Sequence, residues 1–198
     1  MLIVFGVVAI VMGVNGRSTV TNAIKAEQIV GTPDMTPTGI KAEAVSAKLD
    51  LNKLQIPTCS VANKAVNSGA TARCFAQYMR IHTLDATGGL TYAQMPRYAS
   101  ANGKGTNDAT VALKSASGQP LDNPIRDLWV TETALTTALN TSYLAQQIST
   151  FGIVVGIALL LSGFGFGILA LGGALRSREA MVKLPSHKTQ TAPAVPVV

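Results

Sequence analysis

Residues 148–175, ISTFGIVVGIALLLSGFGFGILALGGAL, run for 28 residues without a charged side chain. About 20 apolar residues cross a hydrocarbon core of roughly 30 Å, so the run reads as a transmembrane helix. Arg176, Arg178, Lys183 and Lys188 follow it, with Glu179 as the only acid. The positive-inside rule makes these four the topology anchors and puts this end in the cytoplasm. The alternative is the core helix of a soluble domain, and 198 residues are too few to surround it.

Toward the N-terminus the same helix extends outward. Asn123-Pro124 is a good helix start, with Pro at the first helical position, and no Gly or Pro follows until Gly152. One unbroken helix from Pro124 to Leu175 would be about 78 Å long. Its outer third would form a rigid post, with Leu128, Leu135, Ala138 and Leu139 facing inward. Tyr143 falls where the outer interface begins and reads as an interfacial aromatic anchor. Arg126, Trp129 and Glu132 make either an exposed stripe or ordinary surface around a core Trp.

The other apolar run is MLIVFGVVAIVMGV at residues 1–14. Alone it spans about 21 Å. It has neither the basic n-region nor the A-x-A site of a signal peptide. The reading favoured is a first transmembrane helix over residues 1–17, its basic flank lying upstream of Met1. Gly6, Ala9, Gly13 and Gly16 recur at helical spacing, as do Gly152, Gly156, Gly163, Gly167, Ala170 and Ala174. Small residues on one face let helices approach closely in lipid. Both spans therefore carry a packing face, for each other or for another subunit.

Both ends are then cytoplasmic, and residues 18–147 lie outside. Cys59 and Cys74, the only cysteines, form a disulfide there, the alternative being two buried thiols. The outer region reads as helical. Residues 19–30 continue the first helix. GTPDMTPTG (31–39) forbids regular helix, and 42–54 is short helix or irregular. Residues 70–85 carry Phe75, Tyr78, Met79 and His82 on one face, ended by Gly88-Gly89. Thr91 and Gln94 suggest a capping box. Asn107 or Asp108 would cap a helix reaching Lys114. No window alternates well enough for a strand.

Charge and motifs exclude more than they assign. The net charge of +6 divides into +3 over residues 17–132 and +3 in the tail after Leu175. No basic stretch is interleaved with aromatics, which argues against nucleic acid. No P-loop, G-x-S-x-G or G-x-G-x-x-G after a strand occurs. GFGFG (163–167) lies inside a span and is packing. Asn140-Thr141-Ser142 fits a glycosylation sequon but lies in a helix. Met79, His82 and Met95 would offer a soft copper site, with Asp85 placed to orient His82, but a partly buried packing histidine is the plainer reading. His187 lies in the basic tail. Neither apolar run has an ionisable side chain, which argues against a transporter or pump acting alone. The tail end KTQTAPAVPVV has no periodicity, and its basic start suits anionic headgroups.

Three stretches carry a resemblance: NAIKAEQIVGTPD (22–34), RIHTLDATGGLTYAQM (80–95) and RDLWVTETALTTALNTSYLAQQISTFGIVVG (126–156). The chain resembles a family of uncharacterised actinobacterial two-span membrane proteins, often labelled aromatic ring-opening dioxygenases. The resemblance implies an outward domain on two membrane helices and no activity. An extradiol dioxygenase needs iron held by two His and one carboxylate, and His82 is the only histidine outside.

The expectation is an all-α membrane protein of the inner (plasma) membrane. It comprises an antiparallel pair of spans (1–17 and 148–175), a disulfide-clipped helical outer domain (18–147) and a basic Pro-containing tail (176–198). Expected partners are integral membrane subunits and lipid, without cofactor, metal, nucleic acid or small-molecule substrate. The expected role is a non-catalytic accessory subunit of an envelope complex, with a respiratory or oxidative complex as one candidate host. The alternatives are an outward ligand-binding or sensing module and, third, an enzyme or metal site around His82.

Overall fold

A 25-residue helix opens the chain: α1, Leu2–Ala26. The computed structural model describes residues 1–172. Ala174 and the anchors Arg176, Arg178, Lys183 and Lys188 lie outside the described residues, as does His187. Three further α-helices follow among the described residues: α2 (Pro37–Ser46), α3 (Gly69–Ala86) and α4 (Arg126–Leu171), with a 3₁₀ turn at Leu51–Lys53. Isolated bridges replace regular strands in the described loops.

α1 and α4 are each long and apolar enough to cross a membrane. They pack with their sequences running in opposite directions. A Cβ on Gly6 would come within 2.8 Å of the Gly156 carbonyl, one on Gly13 within 2.6 Å of the Ser149 carbonyl, and one on Gly163 within 2.6 Å of Ile3. Gly16 meets the Ser149 side chain, and Gly152 faces the Ala9 carbonyl. Gly6, Ala9, Gly13 and Gly16 therefore all lie toward α4. The matching stripe on α4 stops at Gly163. Gly165 and Gly167 have nothing within 4 Å, and Ala170 is exposed.

α4 is 46 residues long, about 69 Å. It begins two residues after Pro124, because Asn123 and Pro124 form a turn whose carbonyls accept from the Arg126 and Asp127 amides. Its inward face matches the expected one in part: Leu139 is buried and Leu135 packs on the main core, whereas Leu128 and Ala138 are exposed and Trp129 and Glu132 are buried. The large indole decides the rotation of the helix. Its Nε1–H donates to the Leu90 carbonyl at 2.9 Å, and turning Leu128 inward would expose it.

Local chemistry explains the shorter helices. α2 starts inside the Pro/Gly-rich stretch that was expected to exclude helix. Thr36 caps it by accepting from the Gly39 amide, and Pro37 takes the first turn. Proline is well placed there because that N–H has no helical partner. α3 is capped by Ser68 and Thr71, each satisfying the other's backbone amide. Gly88 and Gly89, at φ +62° and +79°, end it.

Two expected helices are absent. Gln94 does accept from the Thr91 amide, but only a turn follows. At 107–114 the Asp108 carboxylate accepts from the Thr110 amide and hydroxyl. The Leu113 amide then donates across the loop to Ala99, and that of Leu121 to Leu113. Side-chain and cross-loop bonds take the groups a helix would use.

The main core unites Ile24 of α1, Ile40 and Ala44 of α2, Val61, Val66, and Phe75, Tyr78 and Ile81 of α3. Leu84, Met95 and Trp129 form a smaller second cluster. The Cys59–Cys74 disulfide, across 15 residues, ties the intervening segment to α3. Arg73 and Arg80 of α3 lie over the rings of Tyr143 and Trp129 of α4 at 4.8 and 5.3 Å. Tyr143 is thus a half-buried packing residue against the start of α3.

Two stability predictions follow from this packing. Gly156→Leu drives a side chain into Ile10 and the Gly6 carbonyl. It is expected to cost toward the upper end of the roughly 1–3 kcal/mol typical of overpacking. Gly165→Leu, in open space, is expected to leave thermal unfolding of the detergent-solubilised protein unchanged. Equal melting temperatures for the two variants would contradict the contact. The double variant Cys59→Ala/Cys74→Ala is expected to lose about 3 kcal/mol, the loop-closure entropy of a ring this size. Denaturant titration with and without reductant measures it.

Candidate functional site

α3 carries His82 one helical turn beyond the buried Tyr78. The ring leans toward α2 and the turn before it. Nδ1 lies 2.7 Å from Glu43 Oε1, and Nε2 lies 3.3 Å from Asp34 Oδ2. One ligand atom from each of Asp34, Glu43 and His82 lies within 4.8 Å of the others. Nε2 is itself buried and makes no hydrogen bond.

Three elements bring these residues together. Asp34 sits in the turn whose next residues cap α2. Its carboxyl is held below the usual range, chiefly by the Thr32 hydroxyl. Partial burial opposes this, while its own backbone amide and His82 add to it. Glu43 projects from the second turn of α2, the helix that buries Ile40 and Ala44 on α3.

The partners weighed for His82 from sequence spacing do not meet it. Met95 is buried in the second cluster, Met79 packs on the main core, and Asp85 is exposed. The sequence separation of 39 from Glu43 to His82 hid the real partners. The donor set is one His and two carboxylates, which differs from the two-His-one-carboxylate set of extradiol dioxygenases.

A separate cleft of about 800 Å³ opens between residues 48–55, α3 and the 88–94 turn. Lys48, Lys53 and Arg80 line it, with Asp50 paired to Lys53 at 3.3 Å. None of Asp34, Glu43 and His82 does.

The outer face of α4 is the third feature. From Leu128 to Leu171 the only charged residue is Glu132, and it is buried. Exposed positions along the post include Leu128, Val130, Ala134, Ala138 and Leu144, with Thr131, Thr133, Thr137, Asn140 and Thr141 as uncharged polar groups among them. A shallow apolar depression beside Trp129 is lined by Tyr92, Val130, Ala134 and Thr137. Sequence reading located the length of this helix but not its uncharged outer face, which depends on Glu132 turning inward.

Comparison with known proteins gives no matching family model, no matching curated protein and no matching solved structure.

The pH response of this region centres on Tyr78. Its hydroxyl donates to the Cys59 carbonyl at 2.6 Å, and burial pushes the phenol above its ordinary value of 10.0. The folded state thus holds this proton to higher pH than the unfolded chain. The associated stability is complete below about pH 10 and is lost as pH rises through the raised folded value. Spectrophotometric titration of the parent minus Tyr78→Phe is expected to show one phenol ionising above pH 10, together with loss of helical signal. Ionisation at or below pH 10 with the fold intact would contradict the burial.

Proposed function

We propose that this chain is a non-catalytic accessory subunit of a larger cell-envelope membrane assembly. α1 and α4 form an antiparallel transmembrane hairpin in the plasma membrane, and the disulfide-clipped domain stands outside. Both ends face the cytoplasm, where Arg176, Arg178, Lys183 and Lys188 anchor the second span. The disulfide is in keeping with an oxidising compartment.

One observation carries the reading: the uncharged exposed face of α4. The helix is about twice as long as the ~30 Å hydrocarbon core. Lipid accounts for the lack of charge along the span but not along the post above it. A helix face standing in water normally carries charged and polar groups. Here Ala134, Thr137, Ala138 and Thr141 continue the lipid-level surface upward without a charge. Small residues at this spacing suit close approach by a neighbouring helix. The partner is an integral membrane subunit whose own helix extends above the bilayer, and the outer domain caps it.

A second reading, an outward ligand-binding module, is favoured by the 800 Å³ cleft. Its Lys48, Lys53 and Arg80 suit an anionic ligand.

The deciding experiment is gentle detergent extraction of native membranes, with the protein tagged after Val198, followed by native gel and mass spectrometry. Stoichiometric co-migration with a membrane complex is expected. Ala134→Arg with Ala138→Arg, both at exposed positions, is expected to release the subunit while its own thermal unfolding stays the same. Migration of the parent alone would sink the accessory reading and favour the ligand-binding module.

A further inference from the structure

We infer that Asp34, Glu43 and His82 form a binding site for a divalent transition-metal cation, best represented by Zn²⁺, with His82 Nε2 and Asp34 as ligands and Glu43 holding the imidazole. The geometry argues this in three steps. First, Nδ1 lies 2.7 Å from Glu43 Oε1 in a hydrogen bond. With its proton there, Nδ1–H donates and the lone pair is left on Nε2. This is the carboxylate–histidine arrangement that fixes the tautomer of metal-ligating imidazoles.

Second, the freed nitrogen is buried and without a hydrogen bond, 3.3 Å from Asp34 Oδ2. A lone pair facing a carboxylate is repulsive unless a cation lies between them. A proton on Nε2 would give an ion pair with Asp34 without a hydrogen bond, and a metal ion competes with that proton for the same lone pair. A metal ion sits off the N···O line. Two ligand atoms about 2.05 Å from one ion at a tetrahedral angle are about 3.3 Å apart, which is the separation found.

Third, access and chemistry agree. The Asp34 side chain is 44% exposed, so an ion can enter and water can complete its shell. Imidazole with carboxylate suits borderline ions such as Zn²⁺. The bound ion would pin the turn that caps α2 to α3, and it would bind only the folded state. This inference is independent of the accessory reading, since neither the outer face of α4 nor extraction behaviour bears on it.

The test uses the full chain in detergent, purified without a histidine tag, stripped with EDTA and titrated with Zn²⁺ by calorimetry. One ion per chain is expected, with a rise in melting temperature. His82→Ala and Asp34→Asn should abolish both effects, and Glu43→Gln should weaken binding by about 10–100-fold. No stoichiometric binding, or binding unchanged in His82→Ala, would overturn the site. Should the variants not fold, ¹⁵N-histidine spectra of a His187→Ala protein decide. Zn²⁺ should shift the His82 Nε2 resonance and leave Nδ1 protonated, and an unmoved Nε2 would overturn the inference.

Discussion

The close approach of α1 to α4 constrains everything above it. At Gly6 and Gly156 the two backbones meet with no room for a side chain. That contact fixes the rotation of both helices, and the rotation fixes where α1 delivers the chain. Two turns beyond Gly16, Ile24 enters the main core beside α2 and α3. The Gln146 side chain joins the same layer: its Oε1 accepts from the Gly69 amide at 2.8 Å, and its Nε2 donates to the Thr21 hydroxyl. One amide on α4 thus links the outer end of α1 to the first turn of α3. Gly69 is required there, because a Cβ would come within 2.8 Å of Tyr143 Cα.

Features set by local or periodic chemistry were legible in the sequence. The 3.6-residue spacing of glycines marked a packing face on each helix but left open whether the two faces meet each other, and the charge-free run of 148–175 located the second half of α4. The cysteine pair, the α3 face through Phe75 and Tyr78, and the glycine stop at 88–89 were equally readable. α2 was partly legible, since its start depends on whether Thr36 or the preceding turn captures the Gly39 amide.

Features set by tertiary competition were not legible. The segment 107–114 carries a good cap in Asp108, but Val111 stays exposed and no apolar face is available to repay helix nucleation. Cross-loop pairing therefore wins. The inward face of α4 was legible at Leu135 and Leu139 but not at Leu128 and Ala138, because burial near the start of the helix is decided by the one large ring with a partner for its N–H. The partners of His82 come from two other elements, and no local spacing announces them.

The continuity of α4 also constrains how the disulfide-clipped domain packed on it can act. Between Ile125 and Phe151 the helix has neither Gly nor Pro, the usual sites of a kink. Arg73 and Arg80 over Tyr143 and Trp129 fasten α3 along the same stretch. Cation–π contacts at partly exposed sites contribute about 0.5–1 kcal/mol each, and the buried Trp129 contributes more. The domain and the post therefore move together rather than about a hinge between them. A signal passed to the other end of such a post would need tilting or rotation of the whole helix against α1, and the glycine contacts oppose rotation. Lateral docking asks for neither motion. Docking of that kind would use the face that α1, α2 and α3 leave open, and the burial of Glu132 keeps that face free of charge from Leu128 down to Leu171.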